Sequence, residues 1–198
     1  MARPLIHRDA LIEQGLALFY ARGFNAVGIN EILSATGAPK GSFYHHFADK
    51  GSFAIAVLEL YFERHIRFMH RFIRADSKTP KQDILEYYDA MIRQFKKNGF
   101  AQGCFLGNMT VELADIDSNS QQRLEEMFGS WIKELAEVIR MAQAKGQVKT
   151  KADATGLARF TISSWEGALL ASRAARSDEL GEALATTRQD SRSSPDVI

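Results

Sequence analysis

The chain has 198 residues, 45% of them hydrophobic, and 25 basic against 24 acidic side chains leave a formal charge of +1. That length allows one large or two small domains around a substantial core, and only 4 prolines in this composition predict a compact, mainly helical protein. No apolar run is long enough to span a bilayer and no leader peptide is legible, while a single cysteine excludes an intrachain disulfide, so a cytoplasmic protein without membrane association is expected.

Taken in chain order, the apolar spacing is helical nearly everywhere. The first helix runs from about Arg8 to Arg22, with Leu11, Leu16, Leu18 and Phe19 facing inward. The stretch Val27 to Lys50, VGINEILSATGAPKGSFYHHFADK, reads as two short helices joined by a tight turn. Ile29, Ile32 and Leu33 share one face of the first, and Gly37 stands where a helix end needs positive φ. Pro39 suits the opening turn of the second, which runs to about His46. That helix is too short to be stable alone and must be held by packing. Phe43 and Phe47, four apart, form its buried stripe and leave Lys40, Ser42, Tyr44 and His45 outward. A short helix anchored by aromatics and bearing donors on its free side fits the reading helix of a helix-turn-helix.

Asp49 can cap a long helix from about Lys50 to Arg74, with Phe53, Val57, Leu60, Tyr61 and Phe68 inward. Thr79, Pro80 and Gln82 mark the next start, a helix to about Lys97. A shorter helix follows from about Cys104 to Ala114. Ser118 with Gln121 suggests the cap of a helix to about Lys145, and further helices are expected at about Asp153–Arg176 and Asp178–Arg188. The tail, QDSRSSPDVI, reads as disordered. No repeat, Gly-rich phosphate loop or β-alternation is present, so the expected fold class is all-α. The domains expected are residues 1–50 for DNA binding, 51–190 for effector binding and dimerisation, and 191–198 as tail.

Within the reading unit, Lys40 can donate to guanine and the Ser42 hydroxyl suits several bases. Gly41 offers only its backbone or a close approach, and Lys50 suits a phosphate. Charge over residues 1–50 is nearly balanced, so specific binding would need a dimer. Farther on, Tyr87, Tyr88, Met91, Phe95, Met109 and Trp131 are candidates to line an apolar effector pocket, or are ordinary core. Arg64, Arg67, Arg71 and Arg74 share a solvated face. His65 and His70 are poorly spaced for a helical metal pair, and no convergent acid, base or metal set is present. No enzyme, metal or cofactor is therefore expected. In WEGALLASRAAR (165–176), Gly167, Ala168, Ala171 and Ala175 give small faces beside Trp165. A second helix could approach closely there. Cys104 lies near an expected helix N-terminus, where the dipole favours thiolate; the other reading is a small packed hydrophobe.

The segment GAPKGSFYHHFADKGSF, with GLALFYARGFNAVGINEIL before it, resembles the TetR family of bacterial transcriptional repressors. Phe19, Gly23, Phe24 and Ile32 stand at familiar places. Val27 and Gly28 replace the family's usual Thr and Ser, which cap the second helix and touch phosphate. The resemblance implies an N-terminal three-helix DNA-binding domain and a C-terminal helical domain that binds a small-molecule effector. It implies a homodimer on a palindromic double-stranded operator, with Tyr44, His45 and Lys50 at positions that contact phosphate or nearby bases. In the family the helix after the reading unit tilts when ligand binds, and the helix at 165–176 pairs with its two-fold mate. The segment GCFLGNMTVELAD (103–115) resembles repressors that sense electrophiles through a cysteine, although Arg173 stands where such a sensor has Lys. Release by a non-covalent ligand and release by modification of Cys104 are both open. So are the effector, the operator and the sign of regulation. The alternative is a helix-turn-helix-derived interaction module that no longer binds DNA.

Overall fold

The structure, a computed structural model, describes residues 8–176. The helix expected at Asp178–Arg188 and the expected tail lie outside the described residues. Within them are eight helices and no strand: α1 (Arg8–Arg22), α2 (Ile29–Thr36), α3 (Lys40–His46), α4 (Lys50–Met69), α5 (Pro80–Lys97), α6 (Phe105–Leu113), α7 (Ser118–Ala144) and α8 (Ala154–Ala175). The all-α expectation stands. No described helix is long and apolar enough to cross a membrane.

The ends of these helices show where local chemistry decides. Gly37 takes φ 68° at the end of α2, and both its N–H and that of Ala38 donate to the Leu33 carbonyl. Asp49 caps α4 as expected, accepting from the Ser52 N–H at 2.7 Å. Two expected caps differ. Thr79 makes no side-chain cap bond; the orphan N–H of Lys81 donates instead to Gln147 Oε1, 3.1 Å away and 66 residues on. The cap of α7 is Asp117, one residue earlier than expected, whose carboxylate accepts from both the N–H and the hydroxyl of Ser120. The carboxylate presents one oxygen to each donor, and its charge strengthens both bonds.

The described residues fall into two compact units. The first comprises the described chain up to His65 together with Phe105–Met127. Its centre is aromatic: Phe43 lies 5.4 Å from Phe47 and 5.2 Å from Phe53, and Phe53 lies 5.8 Å from Phe19. Phe43 and Phe53 are fully buried, each contributing about 2–3 kcal/mol of apolar burial. Helices α1 and α4 touch backbone to ring at Gly15, where a Cβ would stand only 2.4 Å from Phe53 Cζ. On α4, Tyr61 meets Tyr20 of α1 and Phe105 of α6 at 6.1 and 5.1 Å, which extends this unit past Lys50.

The second unit comprises Ile66–Cys104 and the described chain from Phe128. Here Tyr87, Trp131, Leu135, Ala136 and Ala158 are buried to 1% exposure or less. Tyr88 packs on Trp165 at 5.1 Å, and Phe95 packs on the same indole at 6.0 Å. One hydrogen bond, between His70 Nε2 and Glu134 Oε2 at 2.8 Å, fastens the end of α4 to α7.

Candidate nucleic-acid interface and buried polar cluster

Helix α3 has seven residues, and Phe43 alone plugs it into the first unit. Its other side is open: Lys40, Gly41, Tyr44 and His45 are exposed and Ser42 is half-buried. Lys40 Nζ lies 5.9 Å from the Tyr44 ring, so the two share one outward face. A Cβ added at Gly41 would meet nothing within 4 Å, and its backbone needs no positive φ, so the fold does not require glycine there. Val27, which stands in the place of a capping hydroxyl, is fully buried; it serves the core instead, and Gly28 caps α2 with backbone alone.

Lys50, expected to reach a phosphate, is half-buried at the start of α4. Its ammonium sits 4.1 Å from the centre of the Phe24 ring, and partial burial lowers its pKa while the Glu112 carboxylate opposes that shift. Glu112 also accepts from the backbone N–H groups of Phe24 (3.2 Å) and Asn25 (2.7 Å). One carboxylate on α6 thus holds the loop between α1 and α2. Arg22 pairs with Glu31 across the same corner.

In the second unit Tyr88, Met91, Phe95 and Trp131 are all buried, and Tyr88 and Phe95 share the Trp165 ring. Met109 lies on α6, fully buried in the first unit. Cys104 is the residue before α6 and is 7% exposed, so the expected helix N-terminus is present but the thiol is covered. Glu166 on α8 lies within its electrostatic reach. Burial raises the Glu166 pKa, and Cys104 partly offsets that. Burial likewise raises Tyr88, with the Glu166 charge adding to it. Two polar atoms of this cluster, Glu166 Oε1 and Tyr88 Oη, are buried without a hydrogen-bond partner.

Along α8 the outward face carries Phe160 and Leu170, 67% and 66% exposed, with exposed Gly167, Ala171 and Ala175 and half-buried Ala168 between or beside them. Trp165, expected on this pairing face, lies on the opposite side. Five residues from Phe160 is about 140° round a helix, and its indole is 5% exposed against Tyr88 and Phe95.

Residues 11–57 match the family described as bacterial regulatory proteins, tetR family, and residues 80–187 match the tetracyclin repressor-like C-terminal domain. The chain belongs to the TetR family. It is 32% identical over 179 residues to the HTH-type transcriptional repressor DhaR of Mycobacterium sp. (strain GP1), covering 90% of this chain and 88% of that one. Among solved structures it is similar to regulatory protein TetR from Rhodobacter sphaeroides, with TM-score 0.80, 30% identity, and 93% and 96% of the two chains covered. The reduced form of NemR from Escherichia coli superposes with TM-score 0.80 and 27% identity, over 92% and 96%. The chain is therefore a helix-turn-helix transcriptional regulator and not an enzyme. TetR-family regulators bind DNA operators, usually as dimers under the control of small-molecule effectors.

Two residues of this TetR-family chain carry site chemistry that sequence reasoning passed over. Glu166 is the one acidic residue in α8, and that was the available signal. Glu112 has no comparable signal, because its partners are backbone groups 87 and 88 residues away.

Proposed function

We propose that this chain is a repressor that binds a palindromic operator as a homodimer and leaves it when an effector engages the second unit. The observation that carries the reading is the free face of α3, where Lys40, Ser42, Tyr44 and His45 project from a helix held by a single buried ring. Lys40 and Ser42 are assigned to base edges, Tyr44 and His45 to phosphate or adjoining bases, and Gly41 to close approach of the backbone. Lys50 is assigned to holding the Phe24 loop. Two-fold pairing is assigned to the α8 face of Phe160, Gly167, Leu170 and Ala171, because large exposed apolar side chains flanking small ones suit a close helix–helix contact. A 1–50 reading domain and a 51–190 effector and pairing domain remain the functional division, in a cytoplasmic protein.

The effector is assigned to the cluster of Cys104, Tyr88, Met91, Phe95 and Trp131, by non-covalent binding or by modification of Cys104. Buried polar atoms without partners support it, since each costs about 1–3 kcal/mol unless something meets it. A solved structure of the relative NemR is described as a reduced form, which supports a redox-responsive reading here. The test of the DNA assignment is an operator-binding series in which Lys40→Ala and Tyr44→Phe are compared with wild type at several salt concentrations. Loss of sequence discrimination with Lys40→Ala supports base contact. A uniform loss across sequences assigns Lys40 to phosphate instead.

A further inference from the structure

A cleft of about 320 Å³ opens in the first unit beside the end of α3. All of its walls belong to that unit: the start of α1, the end of α3, the first half of α4 and the first turns of α7. Its volume lies at the lower end of the ~300–1,000 Å³ in which proteins hold small ligands. Phe47, Ile55 and Ala56, each 7% exposed or less, form an apolar wall. Arg8, His46, Glu59 and Arg123 bring charge or donors to the more open side.

Those polar groups are not equally available. Arg123 bridges Glu59 of α4 and Glu126 of its own helix, so Glu59 meets the cleft already paired. The Ser52 hydroxyl, also in the lining, donates to the Asp49 carbonyl at 3.0 Å. Arg8 is different. Its guanidinium stands 5.4 Å from the centre of the Phe47 ring, and among the described residues no carboxylate pairs with it. The half-buried His46 ring lies 6.2 Å from the same phenyl group and adds a nitrogen donor. An unclaimed N–H fork beside an aromatic wall matches a planar carboxylate joined to an apolar ring. A cation is disfavoured by Arg8, and a polyanion exceeds what one unpaired arginine and an imidazole balance beside Glu59. We propose that this cleft binds a small aromatic monocarboxylate, with Arg8 holding the carboxylate and Phe47, Ile55 and Ala56 covering the ring. Such a ligand acts on the reading head itself, because Phe47 caps α3 and lies 5.4 Å, ring to ring, from the Phe43 anchor.

The test uses the full chain without DNA, carrying ¹³C-labelled alanine and isoleucine methyl groups, with 1-naphthoate as the probe. The Ala48, Ile55 and Ala56 methyl signals should shift saturably, with half-saturation below about 1 mM. Wild-type protein should bind 1-naphthamide, which keeps the rings and lacks the charge, at least about tenfold more weakly. Arg8→Gln should weaken naphthoate by a similar factor. Ala48→Phe, at an exposed lining position, should fill the cleft and remove the shift at Ile55. Both variants are matched to wild type in thermal unfolding, and the amide comparison needs no variant. Absence of a saturable shift at about 10 mM naphthoate overturns the proposal. So do shifts confined to second-unit methyls such as that of Ala158, or equal affinity for the amide. An Arg8→Gln protein that binds naphthoate as wild type does but loses operator affinity assigns Arg8 to DNA phosphate and overturns its role here.

Discussion

The two units solve opposite problems with similar apolar stock. In the first, ring stacks directly on ring from Phe19 through Phe53 to Phe43 and Phe47, and the Glu112 carboxylate is met by two N–H donors. In the second, Tyr88 Oη, Glu166 Oε1 and Asp83 Oδ2 are buried with no hydrogen-bond partner. The first is built to hold a seven-residue helix in one place. The second holds polar groups in reserve at a cost in stability. A reading head needs rigidity, and an effector site needs groups that only a ligand completes.

The contrast can be broken at the ring stack. Phe43→Ala should cost about 3–5 kcal/mol in denaturant unfolding and abolish operator binding, because Phe43 is the fully buried side chain of α3. A loss below about 1 kcal/mol would mean that the head is not held by its rings.

A second break uses pH. His65, on α4 beside Tyr61 and Phe62, has its pKa lowered by burial to about 4. The unfolded chain therefore takes up this proton first as pH falls. The stability involved is fully present above about 6.5 and is lost between there and about 4, up to about 3 kcal/mol. Chemical denaturation across that range should show the loss, and His65→Phe should flatten it.

Glu112→Gln sharpens the contrast more locally. It keeps one acceptor but removes the charge that two N–H groups and Lys50 share, a change of about 1.5–3 kcal/mol. Amide exchange at Phe24 and Asn25 should accelerate by about tenfold or more. Unchanged exchange would return Glu112 to an incidental surface acid and free Lys50 for phosphate. The smallest structural effect belongs to Lys40→Ala, which should leave unfolding unaltered and weaken operator binding about tenfold.

What the sequence disclosed follows from the range of the interactions. Gly37, Phe43, Phe47 and the Asp49 cap are decided within a few residues, and all were legible. The same holds for the bounds of α1 and α5. The Thr79 start was placed correctly, yet its bonding was not, because the acceptor is Gln147. Trp165 was put on the pairing face by composition; the helix angle relative to Phe160 turns it to the core. Cys104 could be singled out alone, but Glu166, whose titration it influences, lies 62 residues on, beyond any local pattern. The proposed effector site is thus the less legible half, since its residues come from α5, the turn before α6, and α8.

The most direct test of the central claim is footprinting of the purified protein on the DNA upstream of its own gene, with and without N-ethylmaleimide, backed by selection from whole-genome fragments. The account predicts a protected palindrome whose protection is lost on treatment and kept when Cys104→Ser is used. Protection of the wild-type protein that survives complete alkylation would contradict control through Cys104 and leave the non-covalent route. Absence of any selected site at low salt would contradict the DNA-binding claim itself.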